Sequence, residues 1–251
     1  GALRDNTGGS SNTALGYLTL EENISGGRNL AVGFQALENP DTENDNLAIG
    51  YEALGGAVAG GEFNVAIGNY TLDALTSADQ CVAVGYNAGS AVTEGSGFTG
   101  VGFEAGLSTT TGQDNVYMGK TAGRGNTTGG RNIALGFASI YNADTESNNL
   151  AVGYSALGGS VAGGEYNVAI GNLTLDALTS ADSNVAIGYV SGSAVTTGGN
   201  NVAVGANSMQ ANTEGTHLIA LGKGALASSD TETHNLAIGF EALVTANSGA
   251  E

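Results

Sequence analysis

The feature that most constrains this chain is a pentapeptide, Asn-[Leu/Val/Ile]-Ala-[Val/Ile/Leu]-Gly, that returns from one end to the other. Its closing glycines are Gly16, Gly33, Gly50, Gly68, Gly85, Gly102, Gly119, Gly136, Gly153, Gly171, Gly188, Gly205, Gly222 and Gly239. Eleven of the thirteen spacings are 17 residues, and the two leading to Gly68 and Gly171 are 18. A unit this short cannot bury an apolar face by itself, so it must stack on its neighbours. The expected fold is therefore all-β: a parallel β-solenoid of fourteen coils, one coil per repeat. At ~4.8 Å per coil, the 251 residues would form a single rod of roughly 65 Å.

A longer period lies over the short one. The stretch that starts at Asn46 returns almost unchanged at Asn149, 103 residues later, and a third copy opens at Asn235. The duplicated blocks are residues 29–131 and 132–234. Copying at this fidelity predicts a segment of a longer repetitive fibre.

Within one repeat, alternation separates two faces. Val65 and Ile67 share one side of a strand, and Asn64 and Ala66 share the other. The residue before each key glycine is apolar in all fourteen repeats, and the one two places earlier in twelve, Thr13 and Thr99 excepted. β-Branched residues dominate both columns, so these are the expected interior. After the glycine, the third residue is always Ala, Ser or Thr and the fourth is mostly Leu or Gly. A polar turn follows, with glycine seven places before the next key glycine in nine repeats, including Gly26, Gly61, Gly112 and Gly198; positive φ is expected there. With 43 glycines, helices are disfavoured, and Leu72–Leu75 could make one helical turn at most.

Two further columns carry architectural meaning. Asn stands four places before the glycine in eleven repeats, Cys81, Phe98 and Leu218 replacing it. Stacked, such residues can hydrogen-bond along the coil axis as an asparagine ladder. Ala stands two places before the glycine in twelve repeats, with Gly100 and Tyr117 the exceptions. A uniform small apolar stripe implies a close backbone neighbour. That neighbour is either a second layer of the same coil or another chain, and the expectation taken here is a homo-oligomer. Asn64, Ala66 and Gly68, with Asn167, Ala169 and Gly171, represent these structural columns.

Leucine-rich repeats and hexapeptide helices do not fit, because neither Leu-x-x-Leu-x-Leu nor an aliphatic every sixth residue is present. The chain resembles the head repeats of YadA-type trimeric autotransporter adhesins and related phage and viral fibre repeats, as at Asn64–Gly68 and Asn167–Gly171. The resemblance implies a left-handed parallel β-roll and a trimer. It also implies a structural and adhesive fibre segment, extracellular, at the cell surface or on a virion, that meets a surface glycan or protein receptor.

Composition narrows the function classes. Net charge is −18 with only six Lys and Arg, which repels nucleic acid and anionic membranes. No apolar run reaches the roughly 18 residues of a membrane helix, so no membrane insertion is expected in this segment. No leader is visible at Gly1, which suggests a mature segment or a fragment. Cys81 alone forms no disulfide and reads as a substitution for the Asn of its copy, Asn184.

Candidate chemistry is sparse. The turns Asp41-Thr42-Glu43, Asp144-Thr145-Glu146 and Asp230-Thr231-Glu232 place Asp41, Glu43, Asp144, Glu146, Asp230 and Glu232 where Ca²⁺ could be held, against a reading as solvated charge. No other cofactor is expected. His217 and His234, 17 apart, could stack. A threonine column nine places before the glycine invites an ice-binding reading, although Asp, Ala and Ile interrupt it. Tyr or Phe after the glycine in nine repeats predicts an aromatic ladder. Sequons occur at Asn23, Asn69, Asn126 and Asn172. A glycan-binding or glycan-cleaving tailspike is the competing function, but the acids recur with the repeat rather than breaking it, so no enzyme is expected.

Overall fold

The computed structural model describes residues 1–56, 60–159, 163–228 and 231–244. Among these the chain is an all-β parallel solenoid with fourteen three-residue strands and no helix. The residues form two compact units, 1–129 and 130–251.

The first unit carries β1 (Thr13–Leu15), β2 (Leu30–Val32), β3 (Leu47–Ile49), β4 (Val65–Ile67), β5 (Val82–Val84), β6 (Thr99–Val101) and β7 (Val116–Met118). Each pairs in parallel with the next in sequence, so every residue lies beside its equivalent one repeat away, as Ala48 beside Ala66. The second unit repeats the arrangement with β8 (Ile133–Leu135), β9 (Leu150–Val152), β10 (Val168–Ile170), β11 (Val185–Ile187), β12 (Val202–Val204), β13 (Ile219–Leu221) and β14 (Leu236–Ile238).

The interior is the reverse of what alternation and β-propensity suggest. Ala66 and Ala169 are fully buried, while Val65 and Ile67 are half exposed and Ile170 is 36% exposed. The Ala column therefore packs inside its own coil, and the Val, Ile and Leu columns face outward. The reason is width. A strand of three residues presents a single inward side chain, and the opposing wall is close, so a small one fits. Larger volume enters from the second segment, through Leu20, Leu37, Leu54, Leu72, Leu157 and Leu175. Alternation holds along every strand, and the small face is the inward one.

The glycines also divide by cause. All fourteen key glycines have φ between +127° and +144°, a region closed to side chains, and at most of them, as at Gly33 and Gly171, a Cβ would also run into the next coil's backbone. The turn glycines do not. Gly26, Gly112 and Gly198 have no positive φ, contrary to expectation. A Cβ on them would strike the carbonyl of the following coil, so close approach requires them. Positive φ falls instead on non-glycine corner residues, such as Tyr70 (56°), Leu72 (48°) and Gln80 (58°) in a single coil.

Candidate functional site

The asparagine column lies inside the wall of the coil and is tied to backbone. Asn46 Oδ1 accepts the Asn64 N–H at 2.9 Å, and Asn64 Oδ1 accepts the Cys81 N–H at 2.9 Å. Each Nδ2 in turn donates to a carbonyl in the next coil, Asn64 to Ala78 at 2.9 Å and Asn167 to Ala181 at 2.9 Å. One side chain thus satisfies two buried backbone groups per coil, which makes the column a structural element. Cys81 occupies the same slot with a weaker donor, its thiol reaching the equivalent carbonyl, Gly95, at 3.5 Å. Its thiol is buried, and burial pushes its pKa up to about 11, so it stays protonated and unreactive.

The acidic turns do not hold their carboxylates open for a cation. Glu43 is buried, its Oε2 accepting the N–H groups of Asp41 and Thr42 at 2.7 and 3.0 Å. Its Oε1 accepts the Gly60 N–H at 2.8 Å. Glu146 repeats the pattern with Asp144, Thr145 and Gly163. Gly60 and Gly163 belong to the two 18-residue repeats, so each Glu pins the enlarged coil that follows it. Asp41 and Asp144 are exposed, Glu232 is half buried, and Asp230 lies outside the described residues. Among the described residues, no group of three His, Cys, Asp or Glu side chains comes together.

The other singled-out residues take plain places. His217 and His234 stack with ring centroids 5.0 Å apart. The threonine hydroxyls are engaged: Thr76 donates to the Thr93 carbonyl at 3.0 Å and Thr179 to Thr196 at 3.0 Å. That removes the free hydroxyl array an ice-binding face would use. Asn23 and Asn126 are buried, whereas Asn69 and Asn172 are exposed and accept the Tyr51 and Tyr154 N–H groups.

The largest organised surface features are apolar. In the first unit six rings run in series, Tyr17, Phe34, Tyr51, Tyr70, Tyr86 and Phe103, with centroids 5.2–5.9 Å apart. Tyr70 enters from the neighbouring position because Asn69 occupies the ladder's own column. Lys120 Nζ lies 5.7 Å from the Phe103 centroid. In the second unit Phe137 stacks on Tyr154 at 5.4 Å, and Lys223 caps Phe240. Beside the ladder run the outward aliphatics: Leu15 and Met118 are 68% and 45% exposed in the first unit, and Ile187, Ile219 and Leu236 are 37%, 40% and 58% exposed in the second.

One carboxyl with a perturbed environment carries no signal in the sequence. Asp73 sits beside the 18-residue coil with one carboxylate oxygen buried and unpartnered. Burial, with a smaller contribution from Glu52, raises its pKa to about 6. Asp176, its copy, is raised by burial alone. No sequence signal marks them, because an acid in a turn is ordinarily solvated.

No protein-family model, curated protein or solved structure matches the chain.

Proposed function

We propose that the chain is a segment of an extracellular fibre, structural and adhesive, in which copies associate through the outward aliphatic face. The carrying observation is that face. Apolar side chains stand half-buried or exposed at the same two places in strand after strand, with aromatic rings alongside, and contiguous accessible apolar surface marks a place of association. Its period favours one occupant. The rows recur once per coil, and a partner whose own rows recur at the same interval meshes with every one of them. A second copy of this chain has that interval; a globular partner does not. The oligomer thus rests on the Val and Ile columns instead of the Ala column, and the resemblance to adhesin heads sets the number at three.

Placement at the cell surface or on a virion, and contact with a glycan or protein receptor, follow from the same resemblance. The coils support it chemically: their exposed loops are polar and acidic, and the net charge of −18 keeps a repetitive apolar stack soluble. Light scattering tests the assembly. The expected native mass is near three times 24.7 kDa, falling to one chain when Ile170 and Ile187 are both replaced by Lys. A monomeric wild-type protein at micromolar concentration would sink the reading.

A further inference from the structure

The corner five places before the key glycine adopts positive φ, and its side chain points outward. Residues there are polar, charged or glycine, as at Ser11, Gln80 and Ser183, with two exceptions. Phe63 and Tyr166 occupy equivalent places in the two copies, with φ of 61° and 59° and exposures of 53% and 60%. A bulky aromatic in this conformation is strained, and here it buries little to offset the strain. Neither ring belongs to the stacked ladder, so both keep their faces open, whereas the ladder rings cover one another at 5.2–5.9 Å.

Carboxylates neighbour each ring along the chain and in the next coil. Glu62 and Glu165 immediately precede them, and Glu62 keeps one oxygen beyond the one that accepts the Asn44 Nδ2 at 2.8 Å. Asp79 and Asp182, from the next coil, accept the Glu62 and Glu165 N–H groups at 2.8 Å through one oxygen each. No Lys or Arg occurs between Arg28 and Lys120, or between Arg131 and Lys223. Arg28 is itself held by Asp45 at 2.6 Å, and Arg131 donates to Asn148 at 2.8 Å. Arg28 and Arg131 stand in the same corner column two coils from the rings, and Glu62 adds its charge to the field on Arg28. Each site is therefore an open aromatic face near carboxylates, with the column's own arginine already engaged by another residue. A guanidinium suits it: planar, cationic, able to stack on a ring and to fork onto a carboxylate.

We propose that Phe63 with Glu62 and Asp79, and Tyr166 with Glu165 and Asp182, are two equivalent docking sites for arginine side chains of a basic, extended protein segment. The proposal rests on the reading of the chain as a fibre that carries partners, and names the chemistry of one such partner.

Isothermal titration with a tetra-arginine peptide tests it. Replacing Phe63 and Tyr166 together by Ser, the residue native to this corner at Ser11 and Ser183, should weaken binding about fivefold, the factor an exposed cation–π contact commands. Glu62→Gln with Glu165→Gln should weaken it more than the charge-matched pair Glu94→Gln with Glu214→Gln. Equal losses from both acidic pairs, with none from the ring variant, would mean attraction to overall charge alone and overturn the site. Binding of uncharged N-acetylchitotetraose in place of the peptide would also overturn it, the rings then being sugar platforms. So would a fall in native mass in the ring variant, since the rings would then cover another copy. Loss of peptide binding at unchanged native mass supports the proposal, and a monomeric wild type that still binds the peptide through these rings sinks the fibre assembly alone.

Discussion

The two copies of the 103-residue block fill the same stretch of coil interior in opposite ways. In the second, Asn201 continues the asparagine ladder, Ala203 and Ala220 face inward, and Met209 and Leu226 supply bulk from the second segment, all buried. In the first, the equivalent residues are Phe98, Gly100 and Tyr117 on the strand side and Gly106 and Gly123 opposite. Phe98 and Tyr117 are fully buried and pack edge to face with centroids 6.0 Å apart. A Cβ on Gly106 would stand 2.5 Å from the Phe98 ring, and one on Gly123 2.5 Å from the Tyr117 ring. Volume deleted from one wall reappears on the other. The solenoid thus fixes how much each coil must contain and leaves open which wall supplies it.

The sharpest way to break that comparison is to exchange the solutions one residue at a time. Tyr117→Ala alone empties the coil and should cost about 3–5 kcal/mol. Gly123→Leu alone drives a side chain into the ring and should cost about 1–3 kcal/mol. The backbone raises no objection, since Leu226 holds φ 50° where Gly123 holds 62°. Together the two changes recreate the Ala220–Leu226 arrangement, and the double variant should lie within about 1 kcal/mol of wild type. Urea denaturation of the four proteins measures the coupling. Costs that simply add would show that the walls do not compensate.

The asparagine ladder gives the next largest effect. Asn184 Oδ1 accepts the Asn201 N–H at 3.0 Å, and its Nδ2 donates to the Gly198 carbonyl at 3.0 Å. Asn184→Ala strands both buried groups and should cost about 2–4 kcal/mol. Its copy, Cys81, offers only a weak thiol bond to Gly95 at 3.5 Å in place of the amide, so Cys81→Asn should stabilise the first unit by about 1 kcal/mol. A thermal melt compares the two variants directly. If Asn184→Ala is silent, the ladder is ornament.

These contrasts show what the sequence disclosed and what it hid. Fourteen strands, parallel pairing in register and a column of asparagines were all legible, because each depends on period alone. The direction of the strand faces was not. Burial is normally inferred from size, and in a coil this narrow the residue inside is the one that fits, Ala66, not the more apolar Ile67. The turn acids differ from expectation for a related reason. Glu43 looks like surface charge or a cation ligand in the sequence, and only the fold brings the Gly60 N–H from the next coil onto it. Asp73 was invisible because its burial depends on the enlarged coil before it.

Asp73 and Asp176 make the finest comparison between the copies and give the smallest predicted effect. Both carboxyls are raised by burial, but Glu52 adds its charge beside Asp73, where the second copy has Ser155 beside Asp176. A folded-state pKa above the unfolded value means that the fold prefers the protonated form. The stabilisation is present in full below about pH 4 and is lost as pH rises through about 6. Asp73→Asn removes that loss. Discounted for solvent screening at a half-exposed site, the gain at neutral pH should be on the order of 1 kcal/mol, a rise in Tm of about 2–4 °C that vanishes near pH 4. Glu52→Ser should yield a fraction of it by making the first copy resemble the second, and Asp176→Asn should yield less than Asp73→Asn. Melting curves between about pH 4 and pH 7.5 order the three. If Asp73→Asn lowers Tm at neutral pH, the carboxylate is held by a partner in its ionised form, and burial does not govern its titration.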